Sequence, residues 1–284
     1  MAELVTGLSA GAAYALVAIG IVLIFKGSRA LSFAQGEIGA FGLFLALHWD
    51  VHPLILELVL AVAVGAALGF VIERVVMRRL VGRPPLDAVI ATLGIALLLA
   101  LLEKHWFGTA TQFAPSPVGQ WRVHVFGATL TSVRVVALLA AAAVALALYL
   151  FFDRTRFGLA VRGATDDPDV ARLLGVPVND VHRFVWVAGG ALAGLAAALL
   201  APAFGGLTPF AQTSFSIRSL AGAVIGGLDS IWGAIAGSLA VGVIETIVRT
   251  HTSTGGTDTI AVLVLVVGTL VVRPHGVFGT AGAL

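Results

Sequence analysis

The 284-residue sequence contains no cysteine. Disulfides and thiolate metal sites are excluded, and cysteine usage leaves the redox compartment open. Charge is scarce too. Asp, Glu, Lys and Arg make up 11% of the residues, where a soluble domain carries about 25%. Neither sign dominates, because the formal net charge is only +2, so nothing points to nucleic acid as a partner. No GxxxxGK[ST] phosphate loop occurs, which argues against ATP hydrolysis by this chain alone. HExxH and GxSxG are absent as well, and no acid, base and nucleophile converge in the manner of a membrane enzyme. The chain is expected to be no enzyme and to need no cofactor of its own.

What it does have is apolar length. Hydrophobic residues are 59% of the chain, and several runs approach the roughly 20 residues that cross a bilayer as a helix. The fold class expected is all-α: a polytopic helical membrane protein, one transmembrane domain over residues 1–284. About eight spans are read: 4–25, an apolar piece at 37–47, then 54–73, 86–102, 132–152, 184–202, 233–248 and 259–272. Between 203 and 232 the chain is apolar but broken by Pro209, Gly222, Gly226 and Gly227. Residues 217–228 are read there as a short discontinuous or re-entrant helix, which makes nine crossings if it goes through. Cytoplasmic loops are enriched in Lys and Arg. Placing 26–29, 74–83, 154–183 and Arg273 inside puts twelve of the seventeen basic residues there. The N-terminus is then outside and the C-terminus cytoplasmic. No basic stretch precedes the first apolar run, which therefore reads as a retained span rather than a signal peptide.

Glycine is abundant, at 34 residues. GxxxG spacing occurs at Gly7/Gly11, Gly65/Gly69, Gly190/Gly194, Gly222/Gly226 and Gly233/Gly237, and the plain reading is tight helix packing in lipid. A faint similarity links GEIGAFGLFLAL and LDSIWGAIAGSLA, which chance in an Ala-, Gly- and Leu-rich chain also produces. Polar residues inside apolar regions are functional candidates by default. Gln35, Gly36, Glu37, Gly226, Gly227 and Asp229 are accordingly the candidate lining of a translocation path. Glu37 and Asp229 each also open a small-residue helix, where a carboxylate suits the helix dipole. For Arg218 the readings are pairing with a carboxylate or snorkelling to the outer surface, and snorkelling is the expected one. His48 and His52 flank Asp50 at metal-ligand spacing, but Pro53 follows at once, and solvated loop residues are the simpler reading.

The strongest positive signal is a polar island, 153–183, between two apolar spans. It holds ten of the 32 charged residues. Asp167 or Asp166 can cap a helix with Pro168 at its first position, and Gly175 can end it. The helix presents Val170, Leu173 and Leu174 as an apolar strip. The island's five acids favour a protein groove over a lipid surface, where Lys and Arg prevail.

Inside this island the run TRFGLAVRGA, then Asp167-Pro168, then ARLLGVPV resembles the cytoplasmic loop of bacterial branched-chain amino acid ABC importer permeases. Other blocks follow in the family's order: Gly7-Leu8 to Leu16, LSFAQGE at 31–37, ALAGLA at 191–196, AVIGGLDSIWGA at 223–234 and RPHGVFG at 273–279. The shorter of the two paired permease types fits best. Ser32 and Gln35 stand where the family usually has Asn and His, and Asp229 and Trp232 where Gly and Pro are common.

The resemblance implies an inner-membrane subunit that works with a second, homologous permease. It also implies two cytoplasmic ABC ATPase subunits, which bind the ATP, and a periplasmic substrate-binding protein. By the same resemblance, Arg162, Asp167, Val170, Ala171, Arg172, Leu173, Leu174 and Gly175 form the element that couples to an ATPase. The competing readings are a stand-alone carrier or channel, which needs its own ion site at broken helices, and a membrane enzyme.

Overall fold

The computed structural model describes residues 2–49, 54–114, 119, 121–125, 128–204, 206–209, 211–252 and 256–279. Helix α1 (Ala2–Ser28) is the central rod: every residue from Gly11 to Phe25 is buried. A short link leads to α2 (Gln35–His48). Helix α3 (Leu54–Ile72) continues through a π turn (Glu73–Met77) into α4 (Arg78–Leu80), so 55–80 is one apolar rod. Helix α5 (Pro85–Phe107) follows, with proline in its first turn, where no amide donor is needed. A two-stranded antiparallel hairpin, β1 (Arg122–Val125) with β2 (Ala128–Thr131), precedes α6 (Ser132–Arg154). The island folds as two helices, α7 (Arg156–Asp166) and α8 (Pro168–Leu173). Then come α9 (Val178–Leu200), α10 (Ala211–Gly226), α11 (Ile231–His251) and α12 (Thr257–Val272).

Among the described residues, six helices are long and apolar enough to cross a bilayer: 3–28, 55–80, 85–107, 132–152, 178–200 and 231–251. The pieces 214–226 and 257–272 are apolar but shorter. The all-helical membrane class holds, with one small hairpin added. Several expected boundaries move. Arg74, Arg78 and Arg79 lie on the helical rod rather than in a loop, and Glu103 lies inside α5. The supposedly broken region contains one continuous helix, α10, of 16 residues. Asp50 and His52 lie outside the described residues; His48 closes α2, its ring 5.4 Å from that of Phe107.

All five GxxxG pairs sit at close helix crossings. A Cβ on Gly7 or Gly11 of α1 meets the backbone of Val243 or Leu239 of α11 at 2.6 Å. Gly65 and Gly69 of α3 lie against the carbonyls of Gly190 and Trp186 of α9, and Gly194 lies against that of Ala61. Gly222 and Gly226 of α10 face Ser238 and Gly233 of α11, and Gly237 faces Gly222. With no side chain between them, the backbones approach closely, which is how helices associate in lipid.

The pairing has a pattern. Helix α1 packs on α10 and α11, α9 packs on α2 and α3, and α1 and α9 pack on each other between them. Two triplets, α1-α2-α3 and α9-α10-α11, thus exchange partners. They run in opposite senses, because α1 ends and α9 begins at the island: Thr165 of α7 donates its hydroxyl to the Lys26 carbonyl. In the sequence, Phe-Ala-Gln occurs at 33–35 and 210–212, and Val-Ile-Glu at 71–73, where α3 passes into the π turn, and at 243–245 on α11. Glu73 and Glu245 are each buried and each paired with an arginine farther along the rod, Arg78 and Arg249. The fainter likeness between residues 36–47 and 228–240 therefore joined the wrong helices, α2 and α11.

The stretch 273–279 returns to the α10–α11 turn. Val277 N–H donates to Ile225 O at 2.8 Å, and Phe278 N–H to Gly226 O at 2.9 Å. These bonds satisfy carbonyls that a helix C-terminus leaves open. Gly227 adopts φ 112° at this turn and Gly276 φ 80° opposite it, and a Cβ on Gly276 meets the Gly227 amide at 2.6 Å. Only glycine fits both.

Candidate functional site

The island helix α8 is built as its sequence dictates. The Asp167 side chain accepts hydrogen bonds from Asp169 N–H and Val170 N–H, both at 3.0 Å. At the other end Gly175 has φ 81°, its N–H donates to Arg172 O, and Val176 N–H donates to Ala171 O. That pair of bonds is a Schellman stop, which closes the last carbonyls. Ala171 is buried beneath α8, whereas Leu173 is 87% exposed and Leu174 78%. Val170 is about half-exposed, and Arg172 donates to Asp169 Oδ1 at 2.7 Å. Two leucines held out by a doubly capped helix form an apolar knob without a cover. Helix α7 was not foreseen. Thr155 Oγ1 caps it through Gly158 N–H at 2.9 Å, and Arg162 Nη2 donates to the Phe152 carbonyl, tying α7 to α6.

Removing the cap gives a local effect. Asp167→Ala is expected to cost about 1 kcal/mol of α8 stability. Hydrogen exchange at the amides of 169 and 170 should quicken while the thermal midpoint of the bundle stays put.

The candidate path residues fall into two groups. Gln35 is fully buried, and its Nε2 donates to Gly189 O of α9 at 2.6 Å. This amide also lies where a Cβ on Gly20 of α1 would go. Gly36 and Glu37 are buried beside it. Gly226, Gly227 and Asp229 sit instead at the α10–α11 turn, where Lys26 Nζ donates to Asp229 O at 3.3 Å. Six residues of α1 separate Gly20 from Lys26, about 9 Å of rise. One site does not contain both groups. Ser230, not Asp229, caps α11, through Gly233 N–H at 3.0 Å.

An apolar cavity of about 200 Å³ lies between the α1–α2 link, α5 and α10. Ser32, Phe33, Leu97, Ser216 and Leu220 line it. The Ser32 and Ser216 hydroxyls are buried without partners. It is a space for a small aliphatic group with one or two polar contacts. Sequence reading flagged Ser32 for its departure from the family pattern but missed Ser216.

Two buried acids were also missed. Glu103 is fully buried in α5 and interacts with Glu37 across from it. Glu245 of α11 accepts from Tyr14 Oη of α1 at 2.7 Å and pairs with Arg218 at 3.3 Å. Arg218 also reaches Asp258 at 3.4 Å, and Arg249 joins both acids. Arg218 is therefore held in a charge network and does not snorkel, because two acids from α11 and α12 lie within reach.

With this geometry in view, comparison with known proteins gives a consistent result. The model for the branched-chain amino acid transport system / permease component family matches residues 3–272. The high-affinity branched-chain amino acid transport system permease LivH of Salmonella typhimurium is 29% identical over 98% of this chain and 94% of its own length. BraD of Pseudomonas aeruginosa is 29% identical over 98% and 95%. A probable LivH of Methanocaldococcus jannaschii is 28% identical over 93% and 88%. An ABC transporter solved in an inward-facing conformation covers 95% of this chain and 84% of its own at 16% identity with a TM-score of 0.49.

Proposed function

This chain belongs to the branched-chain amino acid transport permease family, and we propose from that premise that it is one membrane subunit of an ATP-driven importer. Its cargo is a branched-chain or similarly apolar amino acid. A second, homologous permease completes the membrane unit, two cytoplasmic ABC ATPases bind the ATP, and a periplasmic binding protein delivers the cargo. The surrounding partner is the lipid of the bacterial inner membrane. The island faces the cytoplasm, so the N-terminus is outside and the C-terminus inside. The positions of basic residues support this orientation.

The observation that carries the proposal is α8. Leu173 and Leu174 stand almost fully exposed on a helix fixed at both ends. An apolar knob of that kind needs a groove. A partner that moves it also moves α7, and through the Thr165–Lys26 contact it moves the end of α1. Helix α1 runs through the centre of the bundle, so a push at α8 reaches the packed helices directly. Alternating access follows as rocking of the two helix triplets about their shared core. The apolar cavity with Ser32 and Ser216 is the proposed stretch of the path that accepts the cargo's side chain.

The test is co-purification from native membrane in mild detergent, comparing the wild type with a Leu173→Asp/Leu174→Asp double variant. Two ATPase subunits and a second permease should accompany the wild type. The variant should retain the permease and lose the ATPases, because both leucines are exposed and their change leaves the fold intact. If the folded wild type brings no ATPase, the importer reading fails and a self-sufficient carrier takes its place.

A further inference from the structure

A second cavity, of about 210 Å³, lies at the island end of the bundle. It is bordered by the end of α1, the π turn and α4, the link into α5, α7, α8 and α9, and is partly open. Its charge is one-sided. Arg29, Arg78, Arg83 and Arg172 line it, with Glu73 as the one carboxylate in the lining. Two donors in this lining have no acceptor: the indole Nε1 of Trp186, a residue 1% exposed, and Nη2 of Arg78. Buried polar groups in native proteins are almost always hydrogen-bonded, and an orphan points to a missing partner. One acceptor is also unfilled, Oε2 of Glu73, whose Oε1 takes Arg78 Nε at 3.2 Å. Arg29 lines the same cavity with φ 52°, the one positive φ outside glycine among the described residues.

We infer that this cavity binds a phosphate-type anion that keeps one acidic hydrogen. The guanidiniums supply charge-assisted donors in the planar arrangement that suits oxyanions. The Trp186 N–H adds a neutral donor. Glu73 Oε2 accepts the P–OH hydrogen, which a fully deprotonated oxyanion cannot offer. Free phosphate and the headgroup of phosphatidate share this chemistry. Basic pockets at the cytoplasmic edge of membrane helices are established places for anionic headgroups. The bound anion joins Arg172 of α8 to Arg78 and Arg83 across the cavity, so it braces the island against the α3–α5 end of the bundle.

The experiment uses the full chain, delipidated in mild detergent, with inorganic phosphate as probe against chloride at equal ionic strength. Phosphate is expected to bind saturably and raise the thermal midpoint. Sulfate, with no hydrogen to give Glu73, should bind roughly tenfold more weakly, the consequence of one unmade hydrogen bond to a charged group. Arg83→Gln and Trp186→Phe should each weaken phosphate by about tenfold. Trp186→Phe keeps the ring in the core, and Arg83 is exposed outside any helix, so both variants remain folded. If phosphate matches chloride, nanodiscs with and without phosphatidate decide. Native mass spectrometry showing one phosphatidate retained by the wild type and lost from Arg83→Gln assigns the site to the headgroup. If neither phosphate nor phosphatidate binds in preference, the cavity holds water and the proposal is overturned. Neither readout involves the ATPases, so this test stands apart from that of the importer reading.

Discussion

Glu245→Ala is expected to destabilise the protein by about 3 kcal/mol, the lower end of the cost of stripping one partner from a buried ion pair. The carboxylate sits in the half of the bundle remote from the island and is 2% exposed. Its loss leaves the Tyr14 hydroxyl without its acceptor and Arg218 with Asp258 alone. Arg218 is a quarter exposed and keeps that second anchor, which is why the lower end applies. Glu245→Gln should recover part of the loss, since an amide oxygen still accepts from Tyr14. The check is a set of unfolding midpoints in detergent for both variants, alone and combined with Arg218→Gln. If Glu245→Ala costs no more than an exposed substitution, about 0.5 kcal/mol, the network does not hold α1, α10, α11 and α12 together.

The second large effect is expected at Gly190. A side chain there falls on the Gly65 carbonyl, with the Gly69 Cα at 3.3 Å behind it. Both neighbours are backbone and cannot swing aside. Gly190→Leu must separate α3 from α9, at a cost of about 3 kcal/mol or more, the upper range for overpacking. Unfolded or aggregated protein in size-exclusion chromatography is the expected outcome. Gly94→Ala is the control. It lies in the same class of apolar helix, on α5, with nothing within 4 Å of an added Cβ. It should be neutral or stabilising by up to about 1 kcal/mol. Equal losses at the two positions would mean that helix glycine as such, not close approach, governs stability.

The features legible in the sequence are the local ones. Asp167, Pro168 and Gly175 define α8 because a cap, a first-turn proline and a left-handed stop act within a few residues of one another. The glycine pairs announce close crossings because spacing four apart repeats one face of a helix. The missed features are those that depend on distant partners. Tyr14 and Glu245 are 231 positions apart, and nothing near either residue indicates the other. Glu103 passed for a loop residue because a charge after an apolar run reads as its end. Extending α5 by one turn puts that carboxyl against Glu37. Arg74 to Arg79 misled in the same way, since the helical rod carries its arginines past the apolar stretch. The swapped triplets were hidden because three-residue matches such as Phe-Ala-Gln carry little weight until packing shows which helices correspond.

The return of residues 277 and 278 to the end of α10 also sets an order of events during synthesis. The Ile225 and Gly226 carbonyls receive their donors from a stretch made some fifty residues later. Until the ribosome has released that stretch, the α10–α11 turn has open acceptors and an unfilled seat between Gly227 and Gly279. Helices α1 to α10 can gather as they are inserted, but this turn locks only after α11 and α12 have entered the bilayer. A nascent chain stalled before residue 277 is then expected to be open to protease at the α10–α11 turn.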